Sequence, residues 1–423
     1  MSHRRTHISP VMILACTLLV SSGCSNSASP NSQSEPSPTF HPTTDLTPLP
    51  TAKLATSVAN PTSTSAQPTP AVLATLFNSL YALEWEGAIW RLDASSRSFQ
   101  RVTPYDVGVI SFAISPSDGT IAYGDYTGAI SILPPGGEPR LLLSPQLLAS
   151  GEPLLPTAMD FSNSGDRLAF AISLPGGLEG VAAEFLDDVT AKTGLWVMNL
   201  SDRSRTQLLK NQYPTPDNAP LGHVYTSPAW APDDRAISLV IAYWENSDVA
   251  WLFPLGGPSP AALHDPIQQD WAGTAWAPDG SGLYLFGEVY DDVSNLDFAD
   301  RTGQSITTYL DGTLRKRDIR SALPIGNSVL FAANLGQDYV PLLYLGEFTG
   351  GEFVYSALRT IDPTCFGPHL TAAADDATVL VSCPDSAIVF SIQTGDQVDL
   401  TALVQRDINP HLSRITFQWA PQP

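Results

Sequence analysis

The chain has 423 residues, of which 42 are acidic and 21 basic, for a formal net charge of −21, and 43% are hydrophobic. That excess of acid argues against nucleic acid as a partner, since phosphate binding needs basic patches. The same charge keeps a folded domain soluble.

At the N-terminus Arg4, Arg5 and His7 precede an apolar run from Val11 to Val20, which meets Ser21-Ser22-Gly23-Cys24. The run is shorter than the ~20 residues a membrane-spanning helix needs. A basic start, a short greasy middle and a small-residue processing site resemble a bacterial lipoprotein signal peptide. That family prefers Leu three residues before the cysteine, where this chain has Ser21. The resemblance implies a signal peptide over residues 1–23, a lipid anchor on Cys24, and an extracytoplasmic protein held at the bacterial cell membrane. Loss of Arg4 and Arg5 would bring the charge to −23.

Residues 24–73 follow as a Ser/Thr/Pro-rich tether, with too few large apolar side chains to offset the entropy of ordering. At about 3.1 Å per residue for extended Pro-rich chain, such a linker could reach ~140 Å.

Residues 74–423 carry a repeated phrase. Its clearest copy is Trp276-Ala277-Pro278-Asp279-Gly280-Ser281-Gly282-Leu283-Tyr284-Leu285, and other copies start at Ile114, Phe161, Trp230, Ala322, Ala372 and Trp419. The steps between starts are 47, 69, 46, 46, 50 and 47 residues. Intervals in the mid-forties suit a four-stranded blade, which cannot bury both faces alone and must stack on its neighbours. Within the phrase, Pro278 presets φ for a turn, Asp279 can bond its own backbone, and Gly280 suits the turn's end. Apolar residues seven and nine positions on, such as Leu283 and Leu285, share one face of the next strand. Tryptophans in equal register, at positions 230, 276 and 419, are expected to pack between blades rather than form a ligand platform.

The segment from Leu80 has no turn phrase before it, while Ile415 to Trp419 is an inner strand with almost nothing after it. Pairing the two completes a seventh blade and removes open edges. The expected fold is therefore all-β, a seven-bladed propeller closed by its N- and C-terminal strands. In a competing arrangement, Ala71 to Phe77 would supply the missing strand. Cys365 and Cys383 flank a hairpin built on Asp375 and Asp376, and in an oxidising compartment they are expected to form a disulfide.

The phrase, with strands such as Gly194-Leu195-Trp196-Val197-Met198-Asn199-Leu200, resembles the TolB-like propeller repeats of bacterial envelope proteins. The resemblance spans residues 80–423 and implies a module that binds proteins or envelope components. It implies no reaction, because related repeats also form the lid of prolyl-oligopeptidase-like peptidases.

No Gly-x-Ser-x-Gly elbow, His-Glu-x-x-His pair, phosphate-cradling loop or Cys-x-x-Cys occurs. No catalytic residue, metal site or cofactor is expected, and the chain is expected to be a monomer. The long interruptions of the repeat are Pro145 to Pro156, Leu174 to Thr193, Lys210 to Thr226 and Glu288 to Gly303. All belong to connections that leave one face of the ring, and loops on a rigid scaffold carry function. Phe185, Asp187, Asp188, Tyr213, His223, Tyr225, Tyr290, Asp291 and Asp292 are the candidate contact residues for an envelope protein or glycan. The rival expectation is a polysaccharide lyase or glycoside hydrolase with a pocket at the central channel.

Overall fold

The structure is a computed structural model that describes residues 80–421, apart from 86, 94, 105, 177–180, 215–221, 244–246, 253–254, 256–272, 288–294, 304, 311–317, 335–341, 362–364, 366–367 and 374–376. The expected signal peptide, Cys24, the expected tether and the competing strand at Ala71 to Phe77 lie outside the described residues.

Seven antiparallel sheets follow one another along the chain. Blade 1 holds Leu80–Glu84, Ile89–Asp93 and Ser98–Arg101, and blade 2 runs from Val109–Ile114 through Ile121–Asp125 and Ile130–Leu133 to Arg140–Leu143. Blade 3 comprises Pro153–Phe161, Arg167–Ser173, Gly194–Asn199 and Arg205–Lys210, with Gln146–Leu147 paired on its inner edge. Three strands of blade 4 are described, Val224–Trp230, Ile237–Ala242 and Ser247–Leu252. Blade 5 is Gly273–Trp276, Gly282–Phe286, Leu296–Asp300 and Ile306–Leu310; blade 6 is Asp318–Ile325, Ser328–Asn334, Leu342–Thr349 and Glu352–Thr360. Blade 7 is His369–Ala372, Thr378–Ser382, Ala387–Ser391 and Gln397–Asp399.

Ile415–Trp419 then returns to blade 1, pairing Leu80 with Trp419 and Glu84 with Ile415. This is the closure expected from the chain ends. The apolar core is divided accordingly into seven clusters, each lying between two successive blades, with the last joining blade 7 to blade 1. Each fully buried Leu or Phe in these layers contributes about 1.5–3 kcal/mol, so no blade is stable without both neighbours.

The tryptophans act between blades, as their register suggests. The indole N–H of Trp230 donates to the carbonyl of Asp160 at 3.2 Å, that of Trp276 to Ala229 at 3.0 Å, and that of Trp419 to Thr371 at 3.3 Å. In each case the acceptor stands just before the phrase start of the preceding blade. The closing strand also reaches forward, for Gln418 Nε2 donates to the Phe112 carbonyl of blade 2 at 3.3 Å.

The turn chemistry is sharper than the sequence suggested. Asp279 accepts from the Ser281 backbone N–H at 2.9 Å, but Gly280 does more than end a turn: it sits at φ +68°. Gly119 and Gly165 occupy the same left-handed conformation in blades 2 and 3. Blade 4 places Asp234 there, at φ 62°, a conformation Asp tolerates better than most residues. In exchange, the Asp234 carboxylate accepts from the backbone N–H groups of Asn163 and Ser164 in blade 3, at 2.6 and 3.0 Å. In blade 6 the strand instead runs on to Ile325 and reverses over two residues to Ser328, a tight hairpin of the kind Gly and Asn favour.

A second latch covers the outside of the seam. Helix α1, Leu186–Lys192, belongs to blade 3; helix α2, Thr401–Asp407, follows blade 7 and buries Val404 against the blade 1 to blade 7 core. Asp407 accepts from the Phe99 backbone N–H at 2.9 Å, capping the edge strand of blade 1. A carboxylate on that edge blocks further strand addition.

Replacing Trp276 by Phe keeps the ring but removes the cross-blade bond to the Ala229 carbonyl, which the Ser238 hydroxyl still reaches at 3.4 Å, and urea unfolding is expected to show a loss of about 1 kcal/mol. Asp160, on the long inner strand Pro153–Phe161 of blade 3, provides a pH test. Burial, reinforced by the nearby Asp234 charge, pushes its carboxyl up to about 7 despite the hydrogen bonds it accepts from Trp230 and Phe161. Its folded state holds a proton more tightly than the unfolded chain, so its contribution is greatest below about pH 4 and declines as pH rises to about 7. Melting temperature should fall across that window, and Asp160→Asn should flatten the profile. Asp233, held low by its hydrogen bonds to Arg301, acts in the opposite sense, and its contribution is lost only as pH drops below the usual carboxylate range.

Candidate functional site

The connections between second and third strands, and those between successive blades, leave the same face of the ring. On blade 3 they build a cap. The second strand ends at Ser173 and the third begins at Gly194; between them, Ala183–Phe185 forms a 3-10 turn that leads into α1. Val189 is fully buried, while Phe185 and Leu186 pack partly buried on a core that includes Leu148, Phe170 and Ile172. Thr193 Oγ1 donates to the Val189 carbonyl at 2.9 Å and closes the helix.

Polar contacts lock the cap to its neighbours. Asp188 pairs with Lys192 at 2.8 Å and accepts from the Ala149 N–H at 3.1 Å, while Lys192 Nζ donates to the Leu147 carbonyl at 2.8 Å. The bond from Lys192, above all, holds the Asp188 carboxyl below its usual range. Asn211, wholly buried, joins three segments. Its amide donates to the Ile172 carbonyl and the Tyr213 hydroxyl, both at 3.1 Å, and its oxygen accepts from the Tyr225 N–H at 3.0 Å. Nothing in the sequence singled Asn211 out, because a lone Asn after a strand has no spacing signature.

The structure thus sorts the expected contact residues. Tyr213 and Tyr225 are buried, at 7% and 5% exposure, and burial raises both phenols. His223 Nε2 lies 3.0 Å from the Tyr225 hydroxyl, with the rings edge to face, and burial lowers its basicity. Phe185 is half-buried and Asp188 is paired, so Asp187 alone of the described six faces outward. Tyr290, Asp291 and Asp292 lie outside the described residues. One boundary also shifts: Glu288 to Gly303 is not a single connection, since Leu296–Asp300 is the third strand of blade 5. Similarly, Pro145 to Pro156 is a hairpin, its Gln146 paired with Leu154.

Beside the cap the same face presents apolar groups that sequence reasoning passed over. Trp85 is 41% exposed, Tyr126 38% and Leu147 48%. Trp85 and Tyr126 occupy equivalent turns, between second and third strands, in blades 1 and 2. The turns are stitched together by backbone. Trp85 N–H donates to Arg414 at 2.9 Å, Val109 N–H to Gly87 at 3.0 Å, and Tyr126 N–H to Gly108 at 3.1 Å. Gly128, at φ +84°, lies so close to the Leu147 hairpin that a Cβ there would come within 2.4 Å of the Leu154 carbonyl oxygen. Asp106, Glu152, Glu184 and Asp187 stand exposed on the connections of this region. The resulting surface is a fixed aromatic and aliphatic ridge with an acidic surround. Among the described residues, no cluster of three or more His, Cys, Asp or Glu side chains is arranged to hold a metal ion.

No known protein-family model matches the chain, and no curated protein matches it. Among solved structures it is similar to TolB from Acinetobacter baumannii, at 15% identity and a TM-score of 0.37, over 67% of this chain and 65% of that one. The chain therefore spans just under two thirds of that TolB. It is also similar to the β-propeller domain of Cps50 (Swd1) from Myceliophteria thermophila, at 8% identity and a TM-score of 0.44, over 75% of this chain and 91% of that one. A third likeness is to an oligogalacturonate lyase in complex with manganese, at 11% identity and a TM-score of 0.38, over 74% of this chain and 70% of that one. These likenesses concern the propeller architecture, which the seven sheets and their closure establish here.

Proposed function

We propose that the chain is a binding scaffold, exported and lipid-anchored through Cys24, whose ring holds an envelope protein or glycan on the face built by blades 1 to 3. The observation that carries this reading is the exposure of Trp85, Tyr126 and Leu147 on turns fixed by backbone hydrogen bonds. Large apolar side chains cost free energy in water unless something covers them. Rigid aromatic groups lose little entropy on contact and serve as anchors in protein and sugar recognition. Blade 3's cap steadies one end of the ridge, so contact residues need not order themselves on binding. The tether of residues 24–73 would let the ring reach its partner away from the membrane.

Two measurements test this. Partners captured from solubilised envelopes by the full chain should be lost when Trp85 and Tyr126 are both changed to Ser, with the melting temperature unaltered; an unchanged partner set would remove the ridge as the contact surface. Separately, Cys24→Ser should move the protein from the membrane fraction to the soluble fraction and abolish labelling by a fatty-acid analogue.

A further inference from the structure

Arg359 is a cation at the boundary between blades 6 and 7. It stands near the end of the outermost strand of blade 6, partly buried, with its guanidinium 5.4 Å from the centre of the Phe390 ring of blade 7. Among the described residues it has no carboxylate partner, and its guanidinium makes no hydrogen bond to any of them. That carries a cost for a charge partly withdrawn from water, and is unexpected in a chain with twice as many acids as bases. By contrast Arg301 pairs with Asp233 at 2.6 Å, and Arg406 with Asp407 at 2.6 Å.

The placement is built by the backbone. The pairing of the two outer strands of blade 6 slips by one residue, so that Tyr344 faces Ala357 but Leu343 faces Arg359. Without this bulge, strand alternation would put Arg359 on the same side as Phe353 and Tyr355, in the core between blades 5 and 6. With it, the side chain is re-aimed to the blade 7 side, as bulges commonly do. There it lines a small cleft of about 30 Å³, with Leu343, Ile361, Val381 and Ile388 as apolar walls. Thr360 and Ser386 also line it, and neither hydroxyl has a hydrogen-bond partner among the described residues. The wall on the blade 7 side is fixed, because Cys383 lines it and is joined to Cys365 by a disulfide with Cα atoms 5.2 Å apart.

We propose that this cleft between blades 6 and 7 binds a carboxylate, with Arg359 as the two-pronged donor and the Ser386 and Thr360 hydroxyls beside it. A planar guanidinium matches a carboxylate edge to edge, and the centre of the Phe390 ring lies 5.4 Å from the guanidinium carbon. The space corresponds to about two water positions, enough for a carboxylate head, with apolar walls for the carbon that bears it. A phosphate would bring more oxygens than the three groups can satisfy, and the field of a −21 chain repels a dianion more than a monoanion. The carboxylate could belong to a peptide C-terminus or to an acidic sugar. This site is separate from the ridge on blades 1 to 3 and does not depend on it.

The test is titration of the full chain, followed by calorimetry and by NMR, with glucuronate, with N-acetyl-trialanine bearing a free C-terminus, with the same peptide amidated, and with inorganic phosphate. At least one free carboxylate should bind in the millimolar range or tighter and weaken with added salt, while the amidated peptide and phosphate should not compete; which carboxylate wins identifies its source. Arg359→Gln should weaken binding at least tenfold and melt at or above the parent temperature, since it removes an unpaired charge. Ser386→Ala should weaken binding severalfold with its melting temperature unchanged, which separates ligand contact from folding. Absence of binding by both carboxylates at tens of millimolar, or equal binding by Arg359→Gln, would overturn the proposal. So would a drop in the melting temperature of Arg359→Gln with binding retained by Ser386→Ala, because Arg359 would then serve only to pack on Phe390.

Discussion

A small twisted sheet with two apolar faces has no stable existence in water, and everything else in this molecule answers that constraint. Each blade covers its faces with the blades before and after it, which is why the core divides into seven interlayers rather than one centre. Burial supplies the free energy but no register, since apolar contact is non-directional. Register comes from directed bonds at the phrase: the indole N–H groups of Trp230, Trp276 and Trp419 each find a carbonyl at the same position of the preceding blade. The Asp234 carboxylate adds a second cross-blade tie at the turn, which the more usual Gly could not make.

A ring built this way has one weak place, where its first and last strands meet. Closure is correspondingly over-determined. The C-terminal strand pairs along its whole length with Leu80–Glu84, bonds backward through Trp419 and forward through Gln418, and is flanked by a helix whose Asp407 caps the outer edge of the same blade. Inner strand and outer cap act on opposite sides of one sheet. Neither leaves an edge for another chain to extend.

The ring face shows how the same residue types serve opposite purposes. Tyr213 and Tyr225 looked like contact groups because they are aromatic residues in a long connection, yet Asn211 draws both into a buried network. Trp85 and Tyr126 sit in short turns that no insertion marks, and there the backbone has no room to fold the ring back over the core. Insertion length therefore located the built-up region but not the exposed surface. A long connection can bury its own apolar groups; a tight turn cannot.

Repeat spacing, the turn phrase and the unpaired strands at either end were enough to read seven blades, their order and the way they close, because those features depend on local periodicity and on the arithmetic of strands. The inter-blade role of the tryptophans was legible for the same reason, as equal register in a repeat implies an equal environment. What a side chain meets across a blade boundary was not legible. The Asn211 network, the exposure of Trp85 and Tyr126, and the bulge that turns Arg359 toward Phe390 all depend on residues tens of positions apart or on a one-residue slip in pairing. Such contacts are set by packing in three dimensions, where a linear pattern has no term for distance, and so only the tertiary structure could decide them.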